Sequence, residues 1–329
     1  MLKSWLEKIG GINLIDIGSS GGLSERWMPC KKYINLIGFD PNAEECKRMS
    51  ALPSGFRTVK YIPYAISGVS GESVLYKTKS IFCYSLLKPN TQWLERFCYS
   101  DLFEVVGSEK IQTRSLNDIE ELQEFNPDII KTDTQGLELP ILNASGDFLE
   151  NAFYVETETG FLENYVGETT YSQIDEFMRA KGFLLFDINM HRIARKNIFS
   201  AIHSNAEQIL WCEAVWLKDY VALSRQDENV VKSLSKEKVL KILLICAIQG
   251  CIDYGYELAQ LFYQFGKLTP EEFDVLKDKE NWVVFSKQEI PKMRNRLLVL
   301  LFRLLPTKYR CIIMDAAHSS TSQKHLFRF

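Results

Sequence analysis

Short apolar runs alternate with helix-forming stretches through the first two-thirds of the chain. Runs such as NLIDI and NLIGF are aliphatic and too short for buried helices, and polar or turn residues separate them from amphipathic stretches. This alternation is typical of parallel strands joined by crossover helices. We predict seven strands, at residues 13–17, 35–39, 57–61, 129–132, 152–156, 183–187 and 209–217.

The clearest helix signal covers residues 171–181. Ile174, Phe177 and Met178 recur at helical spacing, and Gly182 supplies a stop before the apolar run FLLFDI. Helix feeding directly into strand is the order expected in an open α/β sheet. The pattern therefore predicts a doubly wound, Rossmann-like and mostly parallel seven-stranded sheet.

The pattern changes near Arg225, where strand-like runs stop and long helical stretches follow. Helices are predicted at residues 235–249 and 252–265, and a third begins at Thr269, where Thr-Pro-Glu-Glu supplies a cap, a first-turn proline and a glutamate three residues on. We therefore predict an α/β domain over residues 1–222 and a helical module of unknown role over residues 223–329.

Composition narrows the class of protein. Of the 329 residues, 46% are hydrophobic and 25% are charged, which indicates a folded globular chain. A net charge of −3 gives no chain-wide basic field, so no nucleic-acid partner is expected. The eight cysteines form no C-x-x-C pair, and the start MLKSWLEKIG does not resemble a secretory signal, so we expect a cytoplasmic protein with reduced thiols.

The first predicted strand runs into a glycine-rich turn, IDIGSSGG, with glycines at 18, 21 and 22. Glycines let the backbone approach a ligand closely. Asp16 stands before the first glycine, where it would repel a pyrophosphate but suit a ligand that carries an ammonium and a sulfonium. The charge favours S-adenosylmethionine over a nicotinamide dinucleotide.

The second predicted strand ends in Asp40, 22 positions after Gly18. That spacing suits an acidic residue that accepts hydrogen bonds from ribose hydroxyls. The alternative is an ordinary tight turn followed by a helix that starts at Asp40-Pro41. The two features together favour a nucleoside site.

A second group of polar residues follows two later strands. PDIIKTDTQGLELP places Lys131, Asp133 and Glu138 near the carboxyl edge of the sheet, and NAFYVETETG brings Glu156 and Glu158 to the same edge. The alternatives are solvated loop charges, or a Lys131–Glu138 pair that fixes the loop. Convergence at one edge favours a substrate site.

These segments resemble the FkbM-type methyltransferases. IDIGSSGG corresponds to the family's D-x-G-x-x-x-G turn, GFDPN to its acidic residue and proline, YAISGVSGESVLY to its third-strand region, and FYVETE to its later acidic strand. KTDTQGLELPIL corresponds to its K-x-D-x-x-G-x-E signature. The chain departs from the family at Ser19 and Ser20, where Ala-Asn is usual, and at Asn117, where Asp is common.

The resemblance implies S-adenosylmethionine as cofactor and a hydroxyl on a sugar or natural product as acceptor. Asp16, Gly18 and Gly22 would frame the methionine part of the donor, Asp40 its ribose, and Ala65 with Ile66 its adenine. The implied donor-binding residues are Asp16, Gly18, Ser19, Ser20, Gly22, Asp40, Ala65, Ile66 and Asp133.

Methyl transfer to an alcohol requires a group that takes the hydroxyl proton. We rank Asp133 first as the base, Glu158 and Glu156 second, and His191 last, since a surface or structural role is commoner for such a histidine. Asp133 with Glu156 or Glu158 also has the oxygen chemistry to hold a divalent cation, although the sequence does not demand a metal.

Residues 77–97, KTKSIFCYSLLKPNTQWLERF, separate the third and fourth predicted strands and are rich in aromatic and turn residues. Their place in the order suits an acceptor lid across the active edge. The alternative is a surface insertion that packs Phe82, Trp93 and Phe97 on the core. We refer to these residues as the lid segment.

Residues 292–310, KMRNRLLVLLFRLLPTKYR, combine a short apolar run with basic flanks. The run is too short to span a bilayer, but it suits peripheral contact with an anionic membrane surface at the inner face, and a buried helix is the commoner alternative.

The sequence thus predicts a methyltransferase that acts on a hydroxyl of a small molecule, sugar, glycan or glycolipid precursor. Two alternatives stay open: a catalytically silent nucleoside-binding fold that recruits a partner, and an NAD-linked oxidoreductase. The oligomeric state is not indicated.

Overall fold

The computed structural model describes residues 2–23, 25–196 and 207–282. Its strands, in chain order, are β1 (Ile12–Ile17), β2 (Ile34–Phe39), β3 (Thr58–Ile62), β4 (Ala65–Ile66), β5 (Gly71–Thr78), β6 (Val105–Arg114), β7 (Ile129–Thr132), β8 (Tyr154–Gly160), β9 (Phe183–Ile193) and β10 (Gln208–Lys218).

Seven of these strands form the main sheet, in the order β3-β2-β1-β7-β8-β10-β9. Pairing is parallel from β3 to β8, whereas β10 runs antiparallel to both β8 and β9. Each corresponds to a predicted strand, so the doubly wound, mostly parallel sheet is confirmed. The predictions for β8 and β9 end too early, at residues 156 and 187, because antiparallel pairing with the long β10 extends both strands through polar residues.

A smaller three-stranded sheet, in the order β4-β6-β5, was not predicted. The first six residues of β6 are all exposed, so this strand lacks the apolar alternation that marks a half-buried strand. The antiparallel partner β5 and the short parallel partner β4 lie far from it in sequence. Non-local pairing, not local pattern, forms this sheet.

The helices include the four predicted ones, α6, α9, α10 and α11, within a few residues of their predicted limits. Thr269 caps α11 in a capping box with Glu272. The helices are α1 (Leu2–Leu6), α2 (Ala43–Ala51), α3 (Thr91–Leu94), α4 (Glu138–Ala144), α5 (Asp147–Asn151), α6 (Tyr171–Ala180), α7 (Tyr220–Gln226), α8 (Asn229–Lys232), α9 (Lys236–Gln249), α10 (Ile252–Gln264) and α11 (Pro270–Leu276).

The carboxy-terminal helices pack on the main sheet. Buried residues of α9, such as Ile242, belong to the same apolar cluster as Leu14 of β1. Asp128, which is buried just before β7, accepts from Lys238 Nζ at 2.6 Å and lies 3.3 Å from Lys241 Nζ. Apolar burial and a paired buried charge therefore fix α9 to the sheet. The division at residue 222 stays a prediction.

No helix in the described ranges is both long and apolar enough to span a bilayer. The segment 292–310, predicted to contact a membrane surface or to form a buried helix, lies outside the described residues.

Candidate active site

A cavity of about 710 Å³ lies along the carboxyl edge of the main sheet. Small-molecule sites usually have volumes of roughly 300–1,000 Å³. The cavity brings most of the predicted site residues together, while Asp16 and Ser19 are buried but do not line it. The predicted residues that line it are Gly18, Ser20, Gly22, Asp40, Ala65, Ile66, Asp133, Glu156, Glu158 and His191.

Gly18 occupies the tightest position of the glycine turn. Its φ is +79°, and a Cβ atom there would lie 1.9 Å from the carbonyl oxygen of Asp133. The amides of Gly18 and Ser19 both donate to Phe39 O, each at 2.9 Å. The turn after β1 is thus held between β2 and the loop after β7, and only glycine fits.

Asp16 is fully buried beneath the cavity and is paired with Lys131 on the neighbouring strand β7. Asp16 Oδ1 accepts from Lys131 Nζ at 3.1 Å, and the same Nζ lies 4.0 Å from Asp133 Oδ2. Burial opposes the charged form of Lys131, but Asp16 and Asp133 outweigh that effect and raise its pKa. Lys131 therefore links the buried Asp16, beside the glycine turn, to Asp133, rather than pairing with Glu138.

Asp40 lies at the end of β2 with 8% of its surface exposed. Its Oδ1 accepts from the Asn42 amide at 2.8 Å, and its carboxylate also accepts from the Ser20 backbone. Burial raises the pKa of Asp40 to about 6, against the opposing effect of these hydrogen bonds. A buried carboxylate at the cavity wall can accept further hydrogen bonds from a ligand hydroxyl.

Ala65 and Ile66 form β4 and are 5% and 4% exposed. They line the cavity beside Tyr64 and Asp40, and they pair with Thr113 and Arg114 of β6. The small sheet therefore positions an apolar wall next to the buried carboxylate, an arrangement that is complementary to the base and the ribose hydroxyls of a nucleoside.

Glu138 holds the loop between β7 and α4. Its Oε1 accepts from the Thr134 amide and hydroxyl, both at 2.8 Å, and its Oε2 accepts from the Gly136 amide at 2.9 Å. Burial raises the pKa of Glu138 to about 7. It is 1% exposed and does not line the cavity, so it shapes the loop without meeting a ligand.

Gln135 was not predicted as a site residue. Its φ is +60°, and its Nε2 donates to Asp133 Oδ1 at 2.9 Å and to Glu158 Oε1 at 3.1 Å. The sequence signal was weak, since a glutamine before Gly136 carries no charge and only marks a turn. The structure makes it the bridge between two candidate bases.

Glu156 and Glu158 have different surroundings on β8. Glu156 Oε2 accepts from Tyr154 Oη at 3.1 Å and lies 3.8 Å from Arg26 Nη1, and burial raises its pKa. Burial, with repulsion from the carboxylates of Asp133 and Glu213, raises the pKa of Glu158 well above its usual range. Glu156 is thus held in a buried network, whereas burial and two acidic neighbours oppose the ionised form of Glu158.

The far end of the cavity is formed by the antiparallel strands. Glu213 stands opposite Glu158 in register and accepts from Asn189 Nδ2 at 3.2 Å. His191 stacks on Trp211, with ring centroids 5.0 Å apart, and its Nε2 is 4.0 Å from Glu213 Oε1. Glu213 was missed, although a lone charge within the apolar run LWCEAVW was an available signal.

The lid segment divides into two parts. Residues 80–86 line the cavity, and Ser85 Oγ donates to Gln135 O at 2.7 Å. Trp93 and Phe97 instead pack in an apolar cluster with Leu210. The packing interpretation is confirmed for Trp93 and Phe97, whereas Phe82 lines the cavity, and the role of residues 80–86 as an acceptor lid stays a prediction.

Within residues 2–23, 25–196 and 207–282, no group of three or more His, Cys, Asp or Glu side chains is arranged to hold a metal ion. The Asp133–Glu158 pair is instead bridged by a glutamine amide.

Comparison of the sequence with known protein families gives one match. Residues 23–185 match the family model described as Methyltransferase FkbM domain. The match includes Asp40, β4, Asp133 and β8, and it begins just after the glycine turn. No curated protein matches the chain.

Similar solved structures are distant in sequence and superpose weakly. Magnesium protoporphyrin IX methyltransferase from Synechocystis PCC 6803, with bound SAM, is 7% identical, covers 66% of this chain and 76% of its own, and has a TM-score of 0.33. A Burkholderia thailandensis 1,6-didemethyltoxoflavin-N1-methyltransferase is 11% identical, with coverage of 66% and 78% and a TM-score of 0.31. An NADB-Rossmann superfamily protein from Streptococcus agalactiae is 12% identical, with coverage of 86% and 96% and a TM-score of 0.33.

Proposed function

Residues 23–185 of this chain are an FkbM methyltransferase domain, and on that premise we propose that the protein transfers a methyl group from S-adenosylmethionine to a hydroxyl of a sugar, glycan or glycolipid precursor. The observation that carries this proposal is one continuous cavity, which runs from the glycine turn and Asp40 to the carboxylates Asp133 and Glu158.

The donor side of the cavity fits a nucleoside. Asp40 offers a buried acceptor for ribose hydroxyls, and Ala65 with Ile66 offers an apolar wall for a base. Gly18 and Gly22, both at positive φ, bring backbone rather than side chains to the cavity surface. The nearby charges of Asp16 and Asp133 exceed that of Lys131, which suits a cationic ligand better than a pyrophosphate.

When bound, the donor supplies an electrophilic methyl group on a sulfonium. The chain must then hold an acceptor oxygen in line with that methyl and accept its proton. Asp133 suits this task because it lies between the two sides of the cavity, with its side chain 31% exposed. Glu156 is engaged by Tyr154 and Arg26, and Glu158 shares the Gln135 amide and lies beside Glu213 at the far end of the cavity, so we rank both after Asp133.

The acceptor side combines aromatic rings with carboxylates. Trp211, Tyr99, Phe103 and Tyr165 follow one another with ring centroids 5.3–6.0 Å apart, and all four line the cavity. Aromatic faces pack against apolar surface, while carboxylates accept hydrogen bonds from hydroxyls. Together they suit a polyhydroxylated ring, which supports the sugar class of acceptor.

Isothermal calorimetry tests the donor first. We expect the full chain to bind S-adenosylmethionine and its demethylated product but not NAD, and Asp40→Ala to weaken both interactions about tenfold or more. Asp274→Ala is the control, since Asp274 is an exposed acid that does not line the cavity. Binding of NAD alone would favour an oxidoreductase, and binding of none of the three would favour a partner-recruiting fold.

An acceptor screen tests the chemistry. Lipid-linked sugars and free glycans are incubated with methyl-labelled donor, and the position of the label is read by mass spectrometry. Label on a sugar oxygen that is lost in Asp133→Asn even when the donor is saturating supports the proposal. Label on nitrogen or carbon would contradict O-methylation.

A further inference from the structure

Gln135 combines an unfavourable backbone conformation with a complete set of side-chain contacts. Among the described residues it is the one non-glycine residue with a positive φ. Side chains rarely adopt this conformation unless surrounding contacts hold it, and such positions cluster at functional sites. The contacts of Gln135 therefore call for a functional explanation.

Both hydrogens of the Gln135 amide are directed at carboxylates. One meets Asp133 Oδ1 at 2.9 Å and the other meets Glu158 Oε1 at 3.1 Å. Two carboxylates that face one amide are held at a fixed separation, and the hydrogen bond from the amide favours the ionised form of Glu158.

The amide oxygen of Gln135 points the other way, towards the lid segment. It lies 2.9 Å from Tyr165 Oη, which is itself 3.1 Å from the backbone oxygen of Cys83. Ser85 Oγ donates to the backbone oxygen of Gln135 at 2.7 Å and also accepts from the Leu87 amide. The cavity-lining half of the lid segment is thus joined to Gln135 at two points.

We propose that Gln135 is a positioning residue, which holds the Asp133 and Glu158 carboxylates in one arrangement and ties them through Tyr165 and Ser85 to the lid segment. The proposal rests on the proposed function, because Asp133 is the base assigned there. Acceptor entry beneath the lid and the arrangement of the carboxylates are then coupled: displacing the lid moves the amide that both carboxylates share.

The charged and polar groups that face Glu158 determine the pH at which this carboxyl titrates. Asp133 and Glu213 repel its ionised form, whereas Lys131 and the Gln135 amide favour it. His191 lies behind Glu213, 4.0 Å from its carboxylate. Removing the Gln135 amide while leaving the other groups in place must therefore move the titration of Glu158 to higher pH.

Gln135→Gly is the informative variant, because glycine adopts this φ freely and only the side chain is lost. Carbon-13 NMR of the full chain labelled at side-chain carboxyls follows Glu158, whose signal is assigned by its absence in Glu158→Gln. We expect the midpoint to rise by roughly half a pH unit or more in Gln135→Gly. The exposed strand residue Gln112, changed to Ala, is the control and should leave the midpoint unchanged.

Amide hydrogen exchange of the same unliganded proteins measures how stably the lid segment is held. Peptides over residues 80–87 contain amides that donate within the segment or to Tyr76. We expect about tenfold faster exchange there in Gln135→Gly and in Tyr165→Phe, since each variant removes one lid connection. Tyr165→Phe retains the ring, so a general loss of packing does not explain its effect.

An unchanged titration midpoint of Glu158 in Gln135→Gly would show that Gln135 does not position the carboxylates, and it would overturn the proposal. Unchanged hydrogen exchange over residues 80–87 would overturn the proposed link to the lid segment. Neither readout needs a donor or an acceptor. A wild-type chain that binds no S-adenosylmethionine would therefore refute the proposed function while these measurements still decide the role of Gln135.

Discussion

Replacing Gly18 by alanine tests whether stability and donor binding depend on the close contact between the turn after β1 and the loop after β7. The added Cβ would lie 1.9 Å from Asp133 O, so the two segments must separate by about 1.5 Å to reach ordinary van der Waals contact. Separation strains the hydrogen bond from the Asp133 amide to Ile17 O, now 2.9 Å. The positive φ costs roughly 1–2 kcal/mol, and the overpacking with the weakened bond adds roughly 2–4 kcal/mol.

Gly250→Ala separates these two contributions. Gly250 has a φ of +76°, close to the +79° of Gly18, but nothing lies within 4 Å of its added Cβ. Urea unfolding should therefore show a loss of about 1–2 kcal/mol for Gly250→Ala and at least about 2 kcal/mol more for Gly18→Ala. Calorimetry should show lost donor binding for Gly18→Ala alone. Equal losses of stability with unchanged donor affinity in both variants would refute the reasoning.

Three further outcomes are expected. Glu138→Ala leaves the buried amides of Thr134 and Gly136 without their acceptor and should lower the free energy of unfolding by about 2–5 kcal/mol; a loss below about 1 kcal/mol in urea unfolding would contradict its role in the loop. Asp128→Ala leaves two lysine ammoniums on α9 facing an apolar side chain and should cost about 3–5 kcal/mol, measured in the same way. The folded-state pKa of Asp40, about 6, lies above its unfolded value, so its contribution to stability is present at low pH and is lost as the pH rises through about 6. Asp40→Asn should therefore be the more stable protein at pH 8, by on the order of 1–3 kcal/mol, yet bind the donor product more weakly, and a thermal melt with calorimetry checks both signs.

Local pattern was enough to place several parts of the site. The glycine turn after β1, Asp40 after β2 and the K-x-D-x-x-G-x-E segment after β7 each follow an apolar run, and parallel strands bring their carboxyl ends to one edge. Their position at one edge of the sheet therefore follows from the parallel direction of the strands. The four predicted helices were also readable, because caps and helical periodicity are local features.

The sequence did not show which charged side chains pair with each other, because pairing depends on which strands become neighbours in the sheet. The sequence showed Asp16, Lys131 and Glu138 as charges near one edge, but only the register of β1 beside β7 pairs Asp16 with Lys131 and leaves Glu138 to hold backbone amides. Glu213 reaches the cavity only because β10 returns antiparallel beside β8.

The sequence by itself thus determined the main sheet, the turn that suits a nucleoside and the family resemblance, all of which rest on residues close together in the chain. The tertiary structure alone decided the small sheet behind Ala65 and Ile66, the division of the lid segment, and the bridging place of Gln135. The physical reason is that hydrogen bonds between segments 23 or more residues apart leave no periodic signal in either segment.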